Sequence, residues 1–310
     1  MSILCSIENV KYESMKKCRI IAEMGTSHGG DLKKALEIVA AAAESGADGV
    51  KCQIVYADEI LHPETGFVPL PCGSVPLYEA FKRLEREPEF YQAMKQEAEN
   101  RGLLFLATPF GPKSAAILKE MGPEAVKIAS PELNYHSLIA EIASWNVPAY
   151  LSTGVSRLGD IEDALEPFRD AGGNIPRRKK VCLLHCVTAY PAPAEEYNLR
   201  VIPLLSGIFG CGVGVSDHSL DPALIPVLAQ SLGAAVIDKH FCLSRTDSGL
   251  DDPIALPPEK FTAMVKILRR TFPMGKEAAA EIAAVYGAET VEKVLGDGVK
   301  RLAACEKANY

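Results

Sequence analysis

Short apolar runs rich in β-branched residues recur eight times along this chain, at Arg19–Met24, Val50–Val55, Leu103–Ala107, Val126–Ile128, Ala149–Ser152, Val181–His185, Gly212–Val215 and Ala235–Asp238. Runs of this length and composition read as buried strands, and most gaps between them carry an amphipathic helical pattern. The clearest helix follows Asp31, a capping residue, with Leu32, Ala35, Leu36, Val39, Ala40 and Ala43 on one 3.6-period face before Ser45-Gly46 ends it. Strand–helix alternation predicts a parallel sheet covered by helices. About eight such units in roughly 250 residues is the size of a (β/α)8 TIM barrel. An open doubly wound sheet is the runner-up. It needs a phosphate-binding glycine turn after its first strand, and Gly25-Thr26-Ser27-His28-Gly29-Gly30 lacks that spacing. The expected architecture is therefore an α/β barrel over 1–271 with a short C-terminal helical extension over 272–310.

A barrel of this type carries its working residues at the carboxyl ends of the strands. Polar residues gather there: Glu23, Lys51 with Gln53, Thr108, Lys127 with Ser130 and Glu132, Ser152 with Thr153, His185, Ser216 with His218, and Asp238 with His240. Charges at apolar strand ends are expensive to bury unless they are paired or line a solvated functional cavity. One such residue reads as a loop residue in solvent; the same pattern at about eight ends reads as a site.

Two of these ends repeat a histidine, in Gly214-Val215-Ser216-Asp217-His218 and Ile237-Asp238-Lys239-His240-Phe241. Strand ends hold imidazoles rigidly, and neutral imidazole suits borderline divalent ions while leaving positions open for substrate oxygens. His218 and His240 are thus candidate metal ligands.

Composition excludes several classes. With 310 residues, 48% hydrophobic and 24% charged, the chain can bury a large core of ordinary globular make-up. A formal charge of −7 argues against general nucleic-acid affinity, and Arg177-Arg178-Lys179-Lys180 reads as a solvated loop. No run reaches transmembrane length and no signal peptide is recognisable, so no membrane association and a cytoplasmic location are expected. Nine cysteines, an odd number without a Cys-x-x-Cys pair, agree with that location. Two regions break the rhythm. The stretch from Tyr56 to Glu89 is long for a loop after a second strand and is turn-rich, as a lid would be. The Ala-rich tail reads as helices over Glu277–Tyr286 and Glu289–Glu306, with Gly287 and Gly296-Asp297-Gly298 as breaks. It is expected to pack on the barrel or on another copy of the chain, so a homo-oligomer stays open.

Taken in order, Ile21-Ala22-Glu23-Met24-Gly25 with His28-Gly29-Gly30-Asp31, Gly46-Ala47-Asp48-Gly49-Val50-Lys51-Cys52-Gln53, Thr108-Pro109-Phe110, Lys127-Ile128-Ala129-Ser130, Ser152-Thr153-Gly154, His185-Cys186 with Tyr190-Pro191-Ala192-Pro193 and Asn198-Leu199, Ser216-Asp217-His218 and Lys239-His240-Phe241 resemble the sialic acid (N-acetylneuraminate) synthase family. The resemblance runs from about Arg19 to Arg270. It implies a TIM barrel that condenses phosphoenolpyruvate with an open-chain aldose, N-acetylmannosamine or a relative, to give a nine-carbon 2-keto acid and phosphate, using Mn2+ or Mg2+.

Carried over by position, the resemblance places Lys127, Ser130, Ser152 and Tyr190 on the substrate phosphate, and Lys51, Thr108 and Ser216 towards its carboxylate. Gln53 joins this substrate-binding group. Glu132 resembles the carboxylate that handles water at carbon 2, and Glu23 and Asp251 resemble acidic residues around metal and sugar. Fixed cations and hydroxyls suit a ligand carrying carboxylate and phosphate. Four departures fall mainly on the sugar side. The antifreeze-like domain that normally follows the barrel has no counterpart in this sequence, the loop after the second strand lacks the Tyr-Gln segment expected near the sugar, a phosphate-side asparagine is Thr188, and a Gly-Pro-Asp-His segment reads Gly249-Leu250-Asp251-Asp252. A metal-dependent aldolase or isomerase, or a ligand-binding barrel completed by a partner, stay open as alternatives.

Overall fold

The computed structural model describes residues 17–70, 73–170, 172–175, 181–247, 249–274 and 277–307; the basic run at 177–180 lies outside them. In chain order the strands are β1 (Arg19–Gly25), β2 (Gly49–Gln53), β3 (Phe67–Leu70), β4 (Gly73–Pro76), β5 (Leu104–Thr108), β6 (Val126–Ile128), β7 (Ala149–Ser152), β8 (Val181–Cys186), β9 (Gly212–Asp217) and β10 (Val236–His240). All but β3 and β4 pair in parallel and close into the barrel β1-β2-β5-β6-β7-β8-β9-β10. The strands β3 and β4 form a separate antiparallel hairpin.

Period-2 alternation divides the apolar residues of the barrel between two compartments. Ile20, Ala22, Met24, Val50, Phe105, Val126, Leu151, Leu183, Val215 and Ile237 join the helices in the outer core. Ile21, Leu106, Tyr150, Cys182, Leu184 and Val236 form a small cluster built from the strand side of the barrel, its interior plug. One residue pair further along each strand, the inward face turns polar.

The first helix shows how the outer layer is specified. It spans Leu32–Glu44, and the Asp31 carboxylate accepts from the Lys34 amide at 3.1 Å, as its capping position requires. Its buried residues are Ala35, Ile38, Val39 and Ala42. The face is rotated from the expected one: Leu32, in the first turn, is exposed, and Ile38 and Ala42 take the inward row. Burial of a side chain such as Ile38 contributes about 1.5–3 kcal/mol.

Both irregular regions sit at the carboxyl end of the barrel. After β2, the turn-rich stretch contains the helix Ala57–Ile60, the β3–β4 hairpin and the helix Leu77–Leu84. The prolines at 69 and 76 obscured the hairpin in the sequence, since proline withdraws a ladder donor and survives only at edges. Glu59 accepts from the amides of Lys113 (2.5 Å) and Ser114 (3.1 Å), at the start of the helix after β5. At the other end Arg86 Nε donates to the Gly30 carbonyl after β1, at 2.7 Å.

The tail departs from expectation. Helices span Glu277–Tyr286 and Ala288–Leu295, but the second stops there instead of continuing to Glu306. Gly296 (φ 63°) and Gly298 (φ 79°) take left-handed conformations that end it. The chain then runs to the carboxyl ends of β7 and β8. Lys300 Nζ donates to the Thr153 carbonyl at 2.7 Å.

Candidate active site

Register alone assembles the inward ring. In the parallel pairs Glu23 lies level with Lys51 and with His240, Gln53 with Thr108, Lys127 with Tyr150, Cys186 with Ser216, and Ser216 with Asp238. Residues level across parallel strands share a face. Glu23, Lys51, Thr108, Lys127, Ser152, Ser216, Asp238 and His240 are accordingly all buried at one end of one cavity.

At the centre, Lys51 Nζ lies 2.5 Å from Glu23 Oε2 and 2.7 Å from Asp238 Oδ2. Ser216 Oγ donates to the same Asp238 oxygen at 3.2 Å, and Glu23 Oε1 accepts from the Gly25 amide at 2.6 Å. This is a buried cluster of two carboxylates around one ammonium, in which Asp238 Oδ1 has no hydrogen-bond partner among the described residues. Asp238 is a site residue that the sequence reading named only in passing; its signal was its position two residues before His240, on the same face.

Lys127 is the opposite case. Its ammonium is 3% exposed and donates to the Ile128 carbonyl at 2.9 Å, and no carboxylate among the described residues lies within ion-pair distance of it. Burial, reinforced by the neighbouring Lys51 ammonium, pulls its pKa down to about 7. Of the nearby hydroxyls, Ser152 Oγ is buried without a partner among the described residues, whereas Ser130 Oγ accepts from the Gly154 amide at 3.1 Å. Glu132, on the turn after β6, has its Oε2 buried and unpartnered; burial pushes its carboxyl up to about 7 against the pull of Lys127.

The two histidines come together with a tyrosine. Their ring centroids are 5.3 Å apart, and the Tyr190 ring stacks on His218 at 4.3 Å and meets His240 edge-on at 5.9 Å. Tyr190 was grouped with the phosphate in the sequence reading; its ring here lies against the imidazoles. His218 Nδ1 is 2.9 Å from the Val187 carbonyl, which can only accept, so Nδ1 carries a proton, and although burial lowers the imidazole's pKa the neighbouring Cys186 thiol raises it by more. Burial, with repulsion from His218 and Lys51, holds His240 well below the usual imidazole range, and so neutral. Asp251 Oδ2 is 4.0 Å from His240 Nδ1, and burial pushes that carboxyl up to about 6. Among the described residues no group of three or more His, Cys, Asp or Glu is placed as a metal cluster. The donor set is two imidazoles with a carboxylate alongside, which fits an open site for a borderline divalent ion.

The remaining strand-end residues face outward. His185 Nε2 bonds the Tyr197 carbonyl behind the barrel wall, so it leaves the cavity ring. Asp217 and Lys239, level with each other across β9 and β10, form an ion pair of 2.7 Å with both side chains fully buried. Tyr197 OH donates to Asp217 at 2.7 Å and accepts from the His218 amide at 2.8 Å. This outer network fixes the loop from which His218 turns inward.

A closed parallel barrel with an unpaired buried lysine, free hydroxyls and two imidazoles at its carboxyl end defines a (β/α)8 enzyme for an anionic substrate. The sequence pattern of the NeuB family matches residues 38–279. The chain belongs to that family, the phosphoenolpyruvate-condensing sialic acid synthases, and is an enzyme of that type. It is 35% identical to the spore coat polysaccharide biosynthesis protein SpsE of Bacillus subtilis over 289 residues, 93% of this chain and 74% of the relative. The crystal structure of that protein superposes with a TM-score of 0.76 at 33% identity, covering 94% of this chain and 76% of the other. Identity to the N,N'-diacetyllegionaminic acid synthase of Campylobacter jejuni is 33%, over 95% of this chain and 82% of the relative. The N-acetylneuraminic acid synthetase of Leptospira borgpetersenii, solved with citrate, superposes with a TM-score of 0.70 at 30% identity, covering 94% and 90%. No helix among the described residues is long and apolar enough to cross a membrane.

Proposed function

We propose that this enzyme condenses phosphoenolpyruvate with an N-acetylmannosamine-like or related aldose, giving a sialic-acid-like 2-keto acid and inorganic phosphate. The observation that carries the reading is Lys127: a buried ammonium without a carboxylate partner is costly unless a ligand anion completes it. Ser130 and Ser152 are assigned as hydroxyls for the phosphate, and Thr108 and Lys51 as donors towards the substrate carboxylate, together with Ser216 once its hydroxyl turns from Asp238 to the ligand.

His218 and His240 would hold a Mn2+ or Mg2+ ion, whose chemistry is to polarise the sugar aldehyde as a Lewis acid. The protein's own groups do the rest. Lys127 and the serines orient the enol phosphate so that its methylene carbon faces the aldehyde. Attack leaves positive charge at carbon 2, and water must add there before phosphate departs. Glu132, with a pKa near the working pH and an uncommitted oxygen, can take that water's proton. Glu23 is held in place by Lys51 and the Gly25 amide. Asp251, on the loop after β10 and 4.0 Å from His240, is assigned to the metal and sugar side of the site.

The test is an aldose screen with phosphoenolpyruvate and Mn2+ that reads phosphate release and product mass. A product three carbons longer than the aldose, with stoichiometric phosphate, is expected. Turnover with free pyruvate and no phosphate release would point to an aldolase instead.

A further inference from the structure

The segment after the last helix makes its contacts on the rim of the cavity. Glu306 is 1% exposed, and its Oε1 accepts two amides from different loops: Val155, after β7, at 2.9 Å, and Thr188, after β8, at 2.7 Å. Its Oε2 turns back to the Ala303 amide at 3.0 Å. Lys300 is buried beside it and holds the Thr153 carbonyl of the same β7 loop. Further along, Asn198 Oδ1 accepts from the Gly298 amide at 2.8 Å and Glu196 Oε2 from the Cys305 amide at 3.1 Å, so the β8 loop is gripped along its length.

These two loops carry the phosphate side of the site. Gly154 packs so tightly that a methyl built on it would lie 2.1 Å from Thr188 Oγ1, 2.9 Å from Ser130 Oγ and 3.0 Å from Glu306 Oε1. Val155, a β-branched residue, sits at φ 47°, a left-handed conformation its side chain disfavours. Such backbone persists only where its surroundings over-determine it. The bond from Glu306 to the Val155 amide is the contact that does so.

We propose that Glu306 and Lys300 are positioning residues for phosphoenolpyruvate, holding the β7 and β8 loops in the shape that presents Ser152 and, through the Gly154 amide, Ser130 on the turn after β6 to the substrate phosphate. The inference rests on the phosphoenolpyruvate reading above. Backbone recognition explains why a side-chain acceptor oxygen is needed: one oxygen gathers two loop amides that otherwise stay unsatisfied in a buried place.

The test is calorimetric titration of the full chain with phosphoenolpyruvate in the presence of Mn2+, followed by steady-state kinetics with an accepted aldose. Glu306→Ala should weaken phosphoenolpyruvate binding by about 10- to 100-fold, the cost of leaving two buried loop amides without their acceptor, with the KM for the aldose within about two-fold of the parent. Glu306→Gln keeps an oxygen for both loop amides and should restore binding to near the parent. Lys300→Met, which keeps the stem and loses the donor, should weaken phosphoenolpyruvate binding in the same direction and serves if Glu306→Ala does not fold. Equal affinity in the parent and in Glu306→Ala or Lys300→Met, or tighter binding on removing the carboxylate, overturns the positioning role while leaving the substrate assignment standing. A parent that binds no phosphoenolpyruvate overturns both.

Discussion

Lys51 and Glu23 stand level in the register of β2 and β1, and their side chains meet at 2.5 Å inside the barrel. The contact follows from strand pairing and needs no loop to arrange it.

Removing that cation strands two buried carboxylates, Glu23 and Asp238. Lys51→Met should cost about 3–5 kcal/mol of stability, the usual penalty for breaking a buried pair from one side. Adding Glu23→Gln and Asp238→Asn to Lys51→Met should recover most of it. Urea denaturation of the series measures both effects, and an additive loss across the three changes would refute the coupling.

Phosphoenolpyruvate binding should take up protons near pH 8. In the free protein Lys127 titrates at about 7, so at pH 8 it is largely neutral; a bound phosphate favours the ammonium and raises that pKa. Glu132, also near 7, is pushed the same way by added negative charge. Affinity should therefore fall as pH rises above 7. Titration calorimetry in buffers of different ionisation enthalpy reads the uptake, and release of protons would contradict the sign. Lys127→Ala should weaken binding by about 2–4 kcal/mol.

His218→Ala and His240→Ala should each abolish metal-dependent turnover and leave the far-ultraviolet circular dichroism unchanged, because Asp217, Lys239 and Tyr197 hold the surrounding loop independently. Manganese binding followed by electron paramagnetic resonance checks this. Unaltered Mn2+ affinity in both variants would remove the histidines from the site.

The β3–β4 hairpin hangs between anchors on the loops after β1 and β5, with Phe67 largely exposed at its start. If it covers the acceptor, deleting Pro63–Pro76 should raise the aldose KM by about ten-fold or more and leave phosphoenolpyruvate affinity nearly unchanged. Unchanged aldose kinetics in a folded deletion variant would assign the cover elsewhere.

What the sequence revealed and what it hid separate along physical lines. Strand runs and the polar residues ending them are local patterns, so the barrel and its ring from Glu23 to His240 could be read directly. His185 was placed with that ring because the strand was read without its phase; counting by twos from Ser216, level with Cys186, sends His185 to the outer face. The grip of Glu306 on Val155 and Thr188 left no trace, since amides of any residue type serve as donors. Lys51, Glu23 and Asp238 were each visible, but their pairing is a property of register and not of composition.

In β9 and β10 consecutive residues do opposite work: Asp217 and Lys239 lock the wall from outside, while His218 and His240 point into the cavity. A slip of one residue in either strand would bring a carboxylate or an ammonium into the reaction chamber and strand an imidazole among apolar helices. The buried ion pair thus acts as a phase marker. It lets the chamber's chemistry be rewritten by substitution on the inner face, because the information that fixes which face is inner is written on the other side of the wall.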